Sequence, residues 1–240
     1  ESRYNKLDTF KSLVVPILYV GIPILLVFMQ PDLGTSLVYI AIFVGMLFVS
    51  GIRLRLVRII ATVGVLLMPL AWFVLKDYQK QRILVFMNPD IDPFGSGYHI
   101  IQSKIAIGSG TIFGKGLFNG TQSQLNFLPE NHTDFIFSVI GEELGFIGCI
   151  FVLILLFMLI YRSIKVAYTC NDRFGMLLAT GIGSMFCFEV LVNAGMTMGI
   201  MPVTGIPLPF ISYGVSALTT NMISVGILLN ISMQRKKYIF

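Results

Sequence analysis

An all-α, polytopic transmembrane helix bundle with one long outer loop is the fold class this sequence predicts, and three observations predict it. The residues are 55% hydrophobic and 12% charged, with a mean hydropathy of +0.83; a soluble domain carries about 25% charged residues. Apolar stretches recur along the chain at roughly the 20-residue length that a helix needs to cross a bilayer. The Lys and Arg residues gather in short groups at the ends of those stretches, where they orient membrane segments. The net charge of +5 is therefore a membrane signature, and no nucleic-acid partner is expected, since that would need the charge gathered on one face.

Six spans are predicted, at 12–29, 35–51, 56–75, 135–160, 174–200 and 213–233, which places both ends of the chain on one side. Lys6 and Lys11 precede the first span, and Arg53, Arg55 and Arg58 separate the second from the third. Arg162, Lys165 and Arg173 separate the fourth from the fifth, and Arg235, Lys236 and Lys237 follow the last. These groups belong on the inner side of the membrane. The chain starts at Glu1 without a secretory signal pattern and is read as one integral-membrane domain over 1–240, a piece of a longer protein. Cys149, Cys170 and Cys187 lack metal-ligand spacing and are read as small hydrophobes.

The opposite side receives the turn at 31–34, the segment 76–134 and the Pro-rich turn 201–212. A connection as long as 76–134 is either functional or structured in its own right. Its Lys76, Lys80, Arg82, Lys104 and Lys115 make it basic, which suits an anionic ligand. Tyr98–Ile107 spaces its apolar residues as an amphipathic helix lying at the interface. Gly108–Gly120 is too rich in Gly for regular helix. The run Met201–Gly214, with three Pro and two Gly, should line a cavity or form a plain outer turn, because irregular backbone at membrane depth needs protein or water to satisfy it.

Ionisable groups in or beside spans are costly, which makes Asp32, Asp134, Glu142, Glu143 and Glu189 the candidates for chemistry. Asp134 stands at the mouth of the fourth span, where a carboxylate can meet both water and a lipid headgroup. Its competing reading is helix capping, with Asn131 or Thr133 as the N-cap and the acid favoured by the helix dipole. Glu130, four residues earlier, would share a helical face with it and raise one of the two pKa values, as suits a general base. Glu142 and Glu143 should lie about 12 Å deeper along the helix and pair with polar groups inside the bundle. Glu189 should pair internally too. His132 is the other acid or base of this run, and His99 is the weaker candidate. Lys115, Lys104 and Arg82 are candidates for binding phosphate, as a site or as nonspecific headgroup contacts.

Taken together, these runs resemble the SEDS family of RodA, FtsW and sporulation relatives. The resemblance rests on Gln30 to Thr35; on Gln81-Arg82 with Phe86, Pro89, Asp92-Pro93, Gly95 and Gly97-Tyr98; and on Gln102 with Gly108-Ser109-Gly110 and Gly114-Lys115-Gly116. It continues through Leu128-Pro129-Glu130, His132 to Phe135, Glu142 to Gly145, and Asn193 to Gly214, covering essentially the whole chain in order. Gln122-Ser123-Gln124 is similar to the RodA branch. His99 stands where a Gln is common and Thr111 where a third Gly is common, and neither is expected to touch Asp134.

The resemblance implies a peptidoglycan glycosyltransferase polymerising lipid II on the outer face of the membrane, with earlier spans preceding this piece. It implies Asp134 as the catalytic base, and Lys115, Arg82, Lys104, Gln124, Glu130, His132, Thr133 and Ser212 as substrate contacts. It also implies a class B penicillin-binding protein as partner. A divalent cation, Mg or Mn, is a candidate aid to diphosphate departure alongside the basic residues. Two rival functions remain at this stage: a lipid II flippase using the buried acids as a polar path, and a non-catalytic scaffold for the partner.

Overall fold

The computed structural model describes residues 10–30, 32–52, 75–93, 95–125 and 127–234, together with 58, 59, 62, 66, 69, 72 and 73. Among these residues regular structure is helical only. The helices are α1 (Phe10–Met29), α2 (Leu33–Val49), α3 (Asp77–Met87), α4 (Ser96–Ser109), α5 (Thr121–Gln124), α6 (Ile136–Thr169), α7 (Arg173–Thr197) and α8 (Val215–Gln234), with a 3-10 turn at Pro89–Ile91 between α3 and α4. Among the described residues, α6, α7 and α8 are long and apolar enough to cross a membrane, and Leu13–Met29 and Leu33–Val49 are shorter apolar helices.

Five of the six predicted spans correspond to these helices, and the third, 56–75, lies mostly outside the described residues. α6 runs nine residues past its predicted end at 160, because 161–169 contains no Gly or Pro to stop a helix. Asp32, a candidate for chemistry by position, is instead the N-cap of α2, accepting from the Thr35 backbone N–H at 3.0 Å and its hydroxyl at 2.6 Å.

The described chain falls into two compact units. The first takes residues up to Lys80, Ser163–Met185 and those from Ile227 onward. Within it, α2 passes so close to α7 that a Cβ on Gly45 would collide with the Ser184 hydroxyl. The second unit, Gln81–Arg162 with Phe186–Gly226, holds every residue of the candidate site.

Segment 76–134 is structured, containing α3, the 3-10 turn, α4 and α5. Asp92 secures the start of α4: its Oδ2 accepts from the Ser96 N–H at 3.0 Å and from Gln81 Nε2 at 3.1 Å. The predicted amphipathic helix at 98–107 is α4, with Gly97, Ile100, Ser103 and Ala106 on its buried side.

The Gly-rich run after α4 is bonded into α6. At Gly145 the backbone of α6 turns to φ 67°, which orphans the carbonyls of Glu142 and Glu143 and the N–H groups of Phe146 and Ile147 that an unbroken helix would pair. The run supplies all four partners. The Lys115 and Gly116 N–H groups donate to Glu142 O and Glu143 O at 3.0 Å each, and the Phe146 and Ile147 N–H groups donate to Thr111 O and Ile112 O at 2.9 and 3.2 Å. A Cβ on Gly145 would strike Gly114 N and Ile112 O, so the close approach requires glycine there.

Candidate functional site

Residues 130–135 form a turn ahead of α6, so Glu130 and Asp134 do not share a helical face as the spacing predicted. Glu130 takes φ 51°, and its carbonyl accepts from the Thr133 and Phe135 N–H groups at 3.2 Å each. Neither proposed N-cap serves. Asn131 Nδ2 donates to Ser123 O at 3.0 Å, and the Thr133 hydroxyl donates to Glu130 Oε2 at 3.1 Å. The reason is the left-handed residue at Glu130, which closes a tight turn before the helical ladder begins.

Three consecutive carbonyls of this turn are gripped from α7 and the Pro-rich turn that follows it. The Tyr213 N–H donates to His132 O at 2.8 Å. The Ser212 hydroxyl donates to Thr133 O at 2.7 Å while accepting from the Leu208 N–H at 2.7 Å. Asn193 Nδ2 donates to Asp134 O at 3.0 Å and to Ile206 O at 2.8 Å. Gly205, at φ 75°, lies where a Cβ would come 3.4 Å from Asp134 Oδ2. The Pro-rich turn 201–214 is therefore the seat of the Asp134 segment.

The Asp134 side chain is half-buried, and no donor among the described residues is hydrogen-bonded to its carboxylate. Burial, with the Glu130 charge added, pushes its carboxyl above the ordinary range, and Arg82 and then His99 pull it partly back. His99 stacks on Phe135 with ring centroids 6.0 Å apart. Burial lowers its pKa, against the raising influence of Glu130, Asp92 and Asp134. His99, not expected to touch Asp134, influences it through charge. Its apolar neighbours on α4 disguised it, and the i, i+4 spacing of His99 and Ser103 on the side facing α6 was the available signal.

The other sequence candidates separate into two groups. Arg82, Glu130, His132 and Thr133 lie on or electrically near the Asp134 turn. His132 is exposed and gives only its carbonyl, and Ser212 is buried with its oxygen bonded on both sides. That corrects Ser212 from a substrate contact to a holder of the turn. Lys104 is exposed, and its chain lies over Gly199, where a Cβ would strike Cε. Lys115, a candidate for binding phosphate, is already paired: Nζ meets Glu142 Oε1 at 2.8 Å and the Thr121 hydroxyl at 2.9 Å. Glu142 is fully buried and also accepts from the Gln122 and Ser123 N–H groups at 2.9 and 3.1 Å. Gln124 Nε2 reaches Glu143 Oε1 at 3.4 Å.

Residues 2–237 match the model of the FtsW, RodA and SpoVE family, described as a cell cycle protein. The chain belongs to that family. It is 46% identical over 229 residues to the peptidoglycan glycosyltransferase MrdB of Escherichia coli (strain K12), covering 95% of this chain and 62% of that protein. A solved structure concerned with the coordination of polymerization and crosslinking by a peptidoglycan synthase complex superposes with a TM-score of 0.79 at 31% identity, over 98% of this chain and 66% of that one. The rod shape determining protein RodA of Thermus thermophilus superposes with a TM-score of 0.65 at 29% identity, over 98% of this chain and 60% of that one. The chain thus spans about three fifths of the length of MrdB and RodA.

Membership of the FtsW, RodA and SpoVE family and the three long apolar helices make this a membrane protein. Among the described residues no cluster of three or more His, Cys, Asp and Glu side chains could hold a metal ion. These residues do not build a protein-only site for Mg or Mn. What the geometry offers is a carboxylate of raised proton affinity, without a hydrogen-bond donor among the described residues, on a backbone held at three successive carbonyls.

Proposed function

We propose that the chain is the membrane-embedded catalytic part of a peptidoglycan glycosyltransferase, which polymerises lipid II on the outer face of the bacterial cytoplasmic membrane with Asp134 as general base. The reading takes 1–240 as one integral-membrane domain with both ends cytoplasmic, so that the Asp134 turn opens outward. The observation that carries it is the free, half-buried Asp134 carboxylate on its pinned turn. The names of MrdB and of its RodA and FtsW relatives support the same reaction class.

In the reaction, an Asp134 oxygen takes the proton from a sugar hydroxyl of the acceptor. That hydroxyl oxygen bonds to the anomeric carbon of the donor from the side opposite the leaving group. The bond from that carbon to the polyprenyl diphosphate breaks, and the diphosphate leaves with the electron pair. The anomeric centre inverts, and no second carboxylate nucleophile is needed. Positive charge toward the diphosphate comes from Arg82, Lys104 and Lys115, the last of which is also paired with Glu142. A class B penicillin-binding protein is the partner this reading implies, in keeping with a relative studied in a complex that joins polymerization to crosslinking.

The flippase alternative drew on Glu142, Glu143 and Glu189 as a polar path; of these, Glu142 has both oxygens occupied by four donors and Glu143 Oε1 accepts from Gln124. The deciding experiment is glycan-strand synthesis from lipid II by the complete protein with its partner. Asp134→Asn should abolish synthesis while the protein stays folded. Synthesis at the wild-type rate by that variant would end the general-base assignment.

A further inference from the structure

Asn193 is fully buried near the end of α7, and its amide does two things at once. Nδ2 donates to Asp134 O at 3.0 Å and to Ile206 O at 2.8 Å, so one group ties the turn that carries the acid to the Pro-rich turn beside it. Its Oδ1 is buried without a hydrogen-bond partner. The amide orientation is therefore set by the two carbonyls: a flipped amide would aim Oδ1 at two oxygens and leave both carbonyls without donors.

Behind Asn193 lies a chain of buried polar groups. The Thr197 hydroxyl donates to Asn193 O at 3.1 Å and Ala194 O at 2.9 Å, while Thr197 O accepts from the Ser103 hydroxyl at 2.6 Å. The Ser103 and Ser138 hydroxyls are 2.6 Å apart, which brings α4 and α6 into the same network. A polar group buried this deeply is costly unless it is used. Thr197, Ser103 and Ser138 bond one another and the nearby helix backbone; Asn193 alone among the four reaches the backbone of the acid.

We infer that Asn193 is a positioning residue, whose forked amide fixes where the Asp134 carboxylate stands relative to Gly205 and so to an incoming sugar hydroxyl. This rests on the reading of Asp134 as general base. A carboxylate with no hydrogen bonds of its own takes its position from its backbone, and misplacing a reacting group by about 1 Å costs on the order of 100-fold in rate. Asn193→Asp is the informative change, because it preserves size and shape while replacing the donor by an oxygen facing two carbonyl oxygens.

The test is steady-state polymerisation by the complete protein with its partner, giving kcat and KM for lipid II, with thermal melting in detergent. Asn193→Asp should lower kcat about 10- to 100-fold with KM little changed. Asn193→Ser, which retains one donor, should fall between it and wild type, and decides the matter if the Asp variant does not fold. Thr197→Val, one turn further along α7 and equally buried, should lower the melting temperature without lowering kcat. The proposal is overturned if Asn193→Asp and Asn193→Ser keep the wild-type kcat, or if Thr197→Val loses kcat in the same proportion to its loss of melting temperature. Asp134→Asn runs alongside: full activity there sinks the general-base reading itself, whereas an inactive Asp134→Asn beside fully active Asn193 variants sinks only the positioning role.

Discussion

Asp134 and Glu142 lie eight residues apart, and their surroundings are opposite. Glu142 is fully buried and its oxygens take donors from Lys115, Thr121, Gln122 and Ser123. Asp134 is half-buried with its carboxylate oxygens unengaged among the described residues, while its backbone carbonyl is held by Asn193 of α7 and the two before it from the Pro-rich turn. A carboxylate whose lone pairs are already used stabilises a structure, and one whose backbone is held while its oxygens are free is placed to take up a proton. Burial makes each acid expensive, but only at Glu142 do bonds to the charged form offset the cost.

The sharpest way to break this contrast is to remove the charge at each acid. Asp134→Asn should lower lipid II polymerisation by about 10²- to 10⁴-fold with an unchanged or raised melting temperature, since it removes a partly buried, unpaired charge. Glu142→Ala should do its damage to stability, on the order of 3 kcal/mol, read by denaturant unfolding in detergent, because it strands the Lys115 ammonium and two backbone N–H groups. An Asp134→Asn variant that fails to fold, or a Glu142→Ala variant as stable as wild type, would erase the distinction.

A smaller effect is expected at Gly145, where φ is 67° and a Cβ would meet the backbone of Gly114 and Ile112. Gly145→Ala should cost at least about 1–2 kcal/mol and open 111–118 to limited proteolysis, freeing the run that carries Lys115. Undiminished protease resistance would mean that the four cross-bonds to α6 are not what holds it.

The smallest effects are in the pH profile. A raised carboxyl on Asp134 means that the base is lost as pH falls through a value above the ordinary carboxylate range. Glu130→Gln removes a raising charge and should move the acid limb of kcat/KM to lower pH, while Arg82→Gln removes a lowering charge and should move it to higher pH. Shifts of the same sign in both variants would show that the limb belongs to another group.

Much of the helical layout was legible beforehand. The spans at 12–29, 35–51, 174–200 and 213–233 match helices because a run of apolar residues about 20 long has few other stable states in a bilayer. Asp134 was legible too, as an acid at the mouth of a span within a recognisable run. The fate of Lys115 was not: a lysine between two glycines looks like a mobile phosphate clamp, and nothing local reveals that a carboxylate 27 residues later will take it. Asn193 opened a recognisable run, and Ser212 within it was expected to contact substrate. Their importance lies in carbonyls 59 and 79 residues away, and side-chain bonds of that range leave no periodic trace.

By itself the sequence determined that this is a membrane helix bundle, which family it resembles and which acid stands at a helix mouth, because hydrophobic length, charge placement and ordered motifs are all local properties. Only the tertiary structure decided which acid is satisfied and which is free, that α6 breaks at Gly145 to accept the Gly-rich run, and that His99 joins the charges around Asp134. Those outcomes depend on which donor reaches which acceptor across the fold, and chain closure rather than composition sets that.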